Sequence, residues 1–214
     1  MLKRLAFAVV LTLIPLEAIQ AHEIWLERSG DSVKVFVGDK TGEVDHGETI
    51  EKLIASSHLF GRDQDKVVSV KAAEDHLLGT VDTQGDVRYY NDGVWAPWQT
   101  KDGGYKAAVF QAKAGRQEIK PVFDLEMVPD NPGSDTFILI YKGNPLPDVG
   151  ITVINPDNWE KTIKTDEHGH LAVPVSAKGL YVLVARHQTK EATQIAGQAV
   201  SMLQHIASVS FVAE

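Results

Sequence analysis

Histidine is the side chain best suited to metal chemistry in this sequence, because the chain has eight histidines and no cysteine. Disulfides and thiolate sites are excluded, so a metal ion must be held by imidazole, carboxylate, thioether or backbone groups. Imidazole titrates near neutral pH, and a divalent ion therefore displaces its proton readily. The positions of the histidines are the first evidence on function.

His22 directly follows a segment with the features of a secretory signal peptide. Two basic residues precede an apolar run at 5–16, and small residues follow it. The run is about a dozen residues long, whereas a membrane-spanning helix needs ~20. We predict that residues 1–21 form a signal peptide cleaved after Ala21, with cleavage after Ala18 as the alternative. The product is a periplasmic protein with no stable membrane insertion.

Cleavage after Ala21 makes His22 the N-terminal residue and places an α-amine one short chelate ring from its own imidazole. The two groups have ordinary pKa values near ~8 and ~6.5, so a metal ion displaces their protons at neutral pH. A second imidazole completes a three-nitrogen set suited to nickel, cobalt, copper or zinc, with Cu(II) favoured by intrinsic affinity. The alternative is that His22 merely follows a signal peptide.

Two later histidines are the candidates for that second imidazole. His187 ends an apolar strand predicted at 180–185, and His205 precedes a terminal strand predicted at 207–211. If these strands are neighbours, the two rings meet; otherwise each is a surface histidine. The predicted metal ligands are therefore His22, His187 and His205.

Other chemically capable residues have weaker patterns. His168 and His170 share a face in a strand, but the surrounding Asp and Gly predict an exposed turn. His46 lies in an acidic loop and is a lesser candidate. Trp95 and Trp98 pack in the core or line a ligand groove.

Composition and motifs narrow the function further. The net charge of −8 argues against nucleic acid or an anionic membrane surface as a partner and is compatible with cations. The sequence contains no nucleophile elbow, phosphate loop, dinucleotide-binding fingerprint or His-Glu-x-x-His motif. These observations favour a binding protein over an enzyme.

Apolar residues alternate with polar ones through most of the chain, which is the strand period. A single helical turn or irregular segment is predicted at 51–57, and a helix or long ordered loop at 192–205. The predicted strands lie at 33–37, 67–70, 107–110, 123–128, 137–141, 149–154, 161–165, 171–175, 180–185 and 207–211.

Short strands separated by turns at this spacing predict an all-β fold. We predict two Ig-like or transthyretin-like β-sandwich domains, at 22–121 and 122–214, with a boundary near Pro121.

Several segments together resemble the DUF4198 family of periplasmic proteins linked to nickel and cobalt uptake. The matching segments are the opening AHEIWLE at 21–27, the turns YKGNPLPDV at 141–149 and TDEHG at 165–169, the strand GLYVLVARH at 179–187 and the closing SVSF at 208–211. The resemblance implies a periplasmic β-sandwich that handles a divalent cation, with His22 and His187 at matching positions. His168, His170 and His205 are not implied by it. Gly38-Asp39 departs from the Gly-His that many relatives carry.

Three functions follow from these patterns. The leading one is a transition-metal-binding protein for uptake, delivery or buffering of nickel, cobalt or copper, which hands its ion to a membrane transporter or outer-membrane receptor. The second is a copper enzyme in which the terminal amine and two imidazoles activate oxygen. The third is a structural or adhesion module without metal.

Overall fold

The computed structural model describes residues 22–214, so the predicted signal peptide at 1–21 lies outside the described residues. Strands dominate the described chain, which confirms the all-β prediction. One short α-helix, α1 (Glu48–Leu53), runs into a 3-10 turn at Ile54–Ser56, in agreement with the helical alternative for this segment. Within 22–214, no helix has the length and apolar character needed to cross a membrane.

The strands divide evenly between the two halves of the chain. Those of the first half are β1 (Glu23–Ser29), β2 (Ser32–Gly38), β3 (His58–Phe60), β4 (Val70–Ala72), β5 (Leu77–Thr80), β6 (Val87–Asn91), β7 (Trp98–Gln99) and β8 (Tyr105–Ala114). Those of the second half are β9 (Leu125–Pro129), β10 (Thr136–Tyr141), β11 (Asn144–Pro145), β12 (Gly150–Ile154), β13 (Glu160–Lys164), β14 (His170–Ala172), β15 (Gly179–Ile195) and β16 (Gln198–Ala213).

These strands form a central sheet with a smaller sheet on each face. The central sheet has the order β13-β12-β15-β16-β8-β6-β3, with β7 beside β8. The sheet β1-β2-β5-β4 covers one face, and β9, β10, β11 and β14 form the sheet on the other. Most neighbouring strands are antiparallel, but β16 runs parallel to β8.

Alternation along β15 explains why the molecule has a core on each face. Val182 and Val184 pack with β1 and β2, whereas Tyr181 and Leu183 pack with β9 and β10. Successive side chains of a strand point to opposite faces, so one strand with apolar residues at both sets of positions serves both cores. A strand buried on both faces has apolar residues at successive positions, which explains the continuous apolar run at 180–185.

The segment at 192–205 differs from its prediction. The residues form the distal parts of β15 and β16, joined by a tight turn at Ala196-Gly197, and not a helix or loop. Both turn residues have positive φ, which is the geometry of a two-residue hairpin. Exposed and less exposed positions alternate from His187 to Ile195, but the less exposed residues are mostly polar, so no apolar alternation marks this strand in the sequence.

The predicted domain boundary near Pro121 does not separate two sheets. β8 precedes this point and β16 follows it, yet the two strands are paired from Lys106–Met202 to Ala114–Ser210. The central sheet therefore continues across the boundary.

A buried network of charges fixes the segment that crosses between the two halves. Arg88 donates to Glu126 Oε1 at 2.9 and 3.1 Å and to Glu118 Oε2 at 2.6 Å. Lys113 Nζ lies 3.4 Å from Glu126 Oε1 and 3.8 Å from Asp86 Oδ2. Arg88 and Lys113 are both fully buried, so the carboxylates compensate their charges.

Candidate functional site

His187 and His205 lie directly opposite each other on the antiparallel strands β15 and β16. Opposite residues of such a pair have Cβ atoms about 4.5–5.5 Å apart, and their side chains share a face. The neighbours at alternate positions, Ala185 and Ala207, belong to the core beneath β9 and β10. Both imidazoles therefore rise from the central sheet toward that layer, as expected if the two strands are neighbours.

The ring of His205 is buried without a hydrogen-bond partner among residues 22–214. The residue is 1% exposed, and neither Nδ1 nor Nε2 has a partner among the described residues. On the β8 side, the residue paired with it is the apolar Val109. A buried polar group without a partner costs about 1–3 kcal/mol, so a bond from water or a ligand to this ring would stabilise the folded protein.

Tyr141, the last residue of β10, covers both histidines. Its ring centroid lies 4.7 Å from that of His187 and 5.3 Å from that of His205, in each case edge to face. The Tyr141 hydroxyl donates to Glu191 Oε2 at 3.4 Å. The phenol thus joins the two imidazoles to a carboxylate on β15.

Charged groups surround this histidine pair. Lys142 Nζ lies 2.8 Å from Glu191 Oε1 and 3.9 Å from Asp124 Oδ2. The hydrogen bond from Lys142 holds the pKa of Glu191 below its ordinary value, so Glu191 is a carboxylate at neutral pH. Two carboxylates and one ammonium leave the surroundings with a net negative charge, which favours a cation.

Both imidazoles are neutral at neutral pH. Burial lowers the pKa of His205, although the carboxylates of Asp124 and Glu191 act in the opposite direction. Burial also lowers the pKa of His187, which is partly exposed. A neutral imidazole offers the lone pair that a metal ion needs.

Two more polar side chains near the pair have atoms without a hydrogen-bond partner from the described chain. Gln111 of β8 is aligned with Ala207 of β16, and Thr189 of β15 with Leu203. Gln111 Oε1 and Thr189 Oγ1 are buried and unpartnered among residues 22–214. Alternation places them on the same face as His205, so the unpartnered atoms are grouped on one side of the sheet.

His22 lies elsewhere. Its Nε2 is 3.2 Å from Asp45 Oδ1, and its ring packs edge-on to Trp95 at 5.6 Å between centroids. The next residue, Glu23, accepts a hydrogen bond from Arg186 at 2.8 Å. Arg186 and His187 are consecutive and therefore point to opposite faces of the central sheet. The structure brings His187 and His205 together and does not bring His22 to them.

His22 instead opens onto an acidic cavity. The cavity has a volume of about 270 Å³ and is lined by His22, Asp39, Glu43, Val44, Asp45, His46 and Thr49. The loop at 39–46 folds back here because Asp45 N–H donates to Val37 O at 2.8 Å. The acidic loop noted around His46 is thus the actual neighbour of His22.

The remaining sequence candidates make contacts that fit a structural role. His168 is exposed, and the backbone N–H groups of His168 and His170 both donate to Asp166 Oδ1, which fixes the turn. Trp95 packs on Phe110 in the core and contacts Trp98, which is partly exposed. A ligand groove at these two tryptophans stays a prediction.

No three His, Asp or Glu side chains in the described range are grouped so that they could hold one ion by themselves. If an ion bound at the histidine pair, the two rings would supply two nitrogen donors, and water or a small ligand would fill the other coordination positions. Paired imidazoles of this kind suit Cu, Ni, Zn or Co.

The sequence reasoning missed Tyr141, Lys142 and Glu191. Their order along the chain gives no sign of the contact, because β10 and β15 lie in different sheets. Glu191 could be linked to the site from the sequence, because His187, Thr189 and Glu191 stand at alternate positions, which share one face of a strand. This pattern is missed because the strand is predicted to end at 185, before these three positions.

Comparison with known proteins adds little to this geometry. No protein-family model and no curated protein matches the chain. One solved structure with some likeness is the Bacteroides ovatus mixed-linkage glucan utilization locus protein SGBP-B in complex with a mixed-linkage heptasaccharide, at 10% identity and a TM-score of 0.18. The match covers 86% of this chain and 46% of that one, so it spans less than half of the solved protein. A likeness this weak carries no inference about fold or function.

Proposed function

We propose that this protein binds a divalent transition-metal ion, nickel, cobalt or copper, with His187 and His205 as paired imidazole donors. The observation that carries the proposal is a buried His205 ring with no hydrogen-bond partner from the described chain, directly opposite a second histidine. The proposed role is uptake, delivery or buffering of the ion in the periplasm, with a membrane transporter or outer-membrane receptor as the recipient.

Burial and charge both support an ion at this position. A metal–nitrogen bond removes the cost of the unpartnered ring, and a divalent ion is attracted by the net negative charge around Lys142, Asp124 and Glu191. Tyr141 packs edge to face against both rings and limits the space beside them. The resemblance to DUF4198 segments favours nickel or cobalt among the candidate ions.

His22 is a separate candidate within the same proposal. Cleavage after Ala21 would give it a free α-amine next to its imidazole, beside Asp45 and the acidic cavity. Its role would be to capture an ion at the cavity, independently of the histidine pair on the opposite face.

We expect His187→Ala to lower the affinity for the preferred ion at least about a hundredfold, because one of two protein donors is lost. The measurement is calorimetric titration of the secreted, mass-verified protein with Ni(II), Co(II) and Cu(II) separately. His205→Ala should have the same effect. If the His205 variant does not fold, the partly exposed His187 still provides the test.

Two control variants separate the alternatives. His168→Ala removes an exposed histidine and should leave the affinity unchanged. His22→Ala reports on the terminal site. Full affinity in the His187 variant, together with loss of binding in the His22 variant, would assign the ion to the N-terminus and refute the histidine pair.

A further inference from the structure

The strand β13 forms one edge of the central sheet. It pairs with β12 on one side, and no described strand lies on its other side. Four of its five residues are exposed. The edge therefore presents backbone N–H and C=O groups that can pair with another strand.

The sequence of this edge is self-complementary. When two identical strands pair antiparallel, residues directly opposite each other have their side chains on the same face of the sheet. The two-fold axis that relates the strands must then pass through the same residue of both copies, and not between two residues. An axis at Thr162 uses all five residues of β13 and sets Glu160 opposite Lys164 of the second copy. The symmetry repeats the pair, which gives two Glu–Lys contacts on one face.

The other face of the same pairing is also complementary. The axis at Thr162 sets Lys161 opposite Ile163 of the second copy, where the lysine stem covers the isoleucine. Ile163 is the partly buried residue of β13 and packs on the core beneath β9 and β10. Pairing extends that apolar contact from one copy to the next.

Trp159, next to this strand, adds an apolar anchor. Its side chain is 77% exposed and is the most exposed large apolar side chain of the described residues. The turn that holds it is rigid, since Asn155 Oδ1 accepts the backbone N–H of Trp159 at 2.8 Å and Asn155 N–H donates to Trp159 O at 2.9 Å. A groove of about 430 Å³, lined in part by Pro174 and Val175, lies beside it.

We propose that two copies of this chain pair edge to edge through β13, antiparallel and with a two-fold axis at Thr162. The central sheets of the two copies then form one continuous sheet. Within one copy, Lys164 Nζ lies 2.7 Å from Asp148 Oδ1, but both side chains are exposed, so this ion pair is weak and can exchange for Glu160 of the second copy. The proposal is independent of metal binding.

A charge-reversal cycle tests the register of this dimer. Sedimentation equilibrium of the full-length secreted protein, up to about 0.2 mM, should show a monomer–dimer equilibrium typical of a small interface. Glu160→Lys or Lys164→Glu alone places like charges opposite each other twice, so each should raise the dimer dissociation constant at least about tenfold. The double variant E160K/K164E restores opposite charges and should restore the dimer.

Each outcome of this cycle decides the proposal. If the wild-type protein stays monomeric, the proposed dimer is refuted, and the lysines of β13 instead prevent edge-to-edge pairing. A dimer that ignores both single reversals uses another surface. A dimer weakened by either single change and not recovered in the double variant uses a different register. Both positions are exposed, so circular dichroism should show unchanged folding in all variants.

Discussion

Glu126→Gln is expected to lower the free energy of unfolding by about 3–5 kcal/mol, because it leaves two buried cations without their shared carboxylate. Glu126 Oε1 accepts from Arg88 and lies 3.4 Å from Lys113 Nζ, while Oε2 accepts the N–H groups of Val122 and Phe123 at 2.7 and 3.0 Å. The amide keeps the volume of the side chain, so the change removes charge and turns an acceptor into a donor. Urea denaturation followed by circular dichroism measures the difference.

The pH dependence of this variant provides an internal check. Burial lowers the pKa of Lys113 in the folded protein, so the unfolded chain holds that proton more tightly. Stability from this group is therefore gained as the pH rises toward the ordinary lysine pKa of about 10.4. Loss of the carboxylate lowers the folded pKa further, and the deficit of the variant should shrink between pH 7 and about pH 9.5.

The matched control for this prediction is an exposed ion pair. Glu48 and Lys52 lie one helical turn apart in α1 and are both exposed, so Glu48→Gln should change the stability by no more than about 0.5 kcal/mol. An equal effect of the two Glu→Gln changes would contradict the assigned role of the buried network.

Gly38→Ala is expected to destabilise the protein by about 2–4 kcal/mol, because the added methyl group has no room. Gly38 ends β2 with φ of +136°, and a Cβ there would lie 2.5 Å from Glu43 O and 2.9 Å from Val44 Cα. Both contacts are with backbone atoms, so only a shift of the loop at 39–46 relieves them. That loop carries Asp45, and the acidic cavity beside His22 should be lost as well.

Gly30→Ala isolates the steric part of this effect. Gly30 also has positive φ, +59°, but nothing lies within 4 Å of a Cβ built there. We expect a loss of about 1–2 kcal/mol, from backbone strain alone. Thermal unfolding of the two variants, compared with the wild type, gives the difference. A Gly38 variant no less stable than the Gly30 variant would show that the loop moves freely.

Much of the strand content is readable from the sequence, because alternation is a local property. The runs at 33–37, 107–110 and 137–141 each lie within an observed strand, and the apolar run at 180–185 lies within β15. The partners of the strands are not local properties. The parallel pairing of β16 with β8 joins residues about one hundred positions apart, and no periodicity records it.

The candidate site shows the same limit. His187 and His205 were identifiable as residues near the ends of two predicted strands, and the observed register makes them opposite in the middle of β15 and β16. His22 lies apart from this pair because its neighbour Glu23 contacts Arg186, and Arg186 and His187 point to opposite faces of β15. A difference of one position along the strand therefore decides which side chains His22 can reach. Tyr141 and Glu191 enter through packing between two sheets, which the sequence alone does not reveal.

The central place of β16 has a consequence for how the chain matures. This strand is the last of the sixteen in the described chain, yet it lies between β15 and β8 and contributes to both cores. β8 therefore cannot gain its neighbour β16 until about one hundred further residues have been synthesised. Folding that awaits such distant contacts is slow.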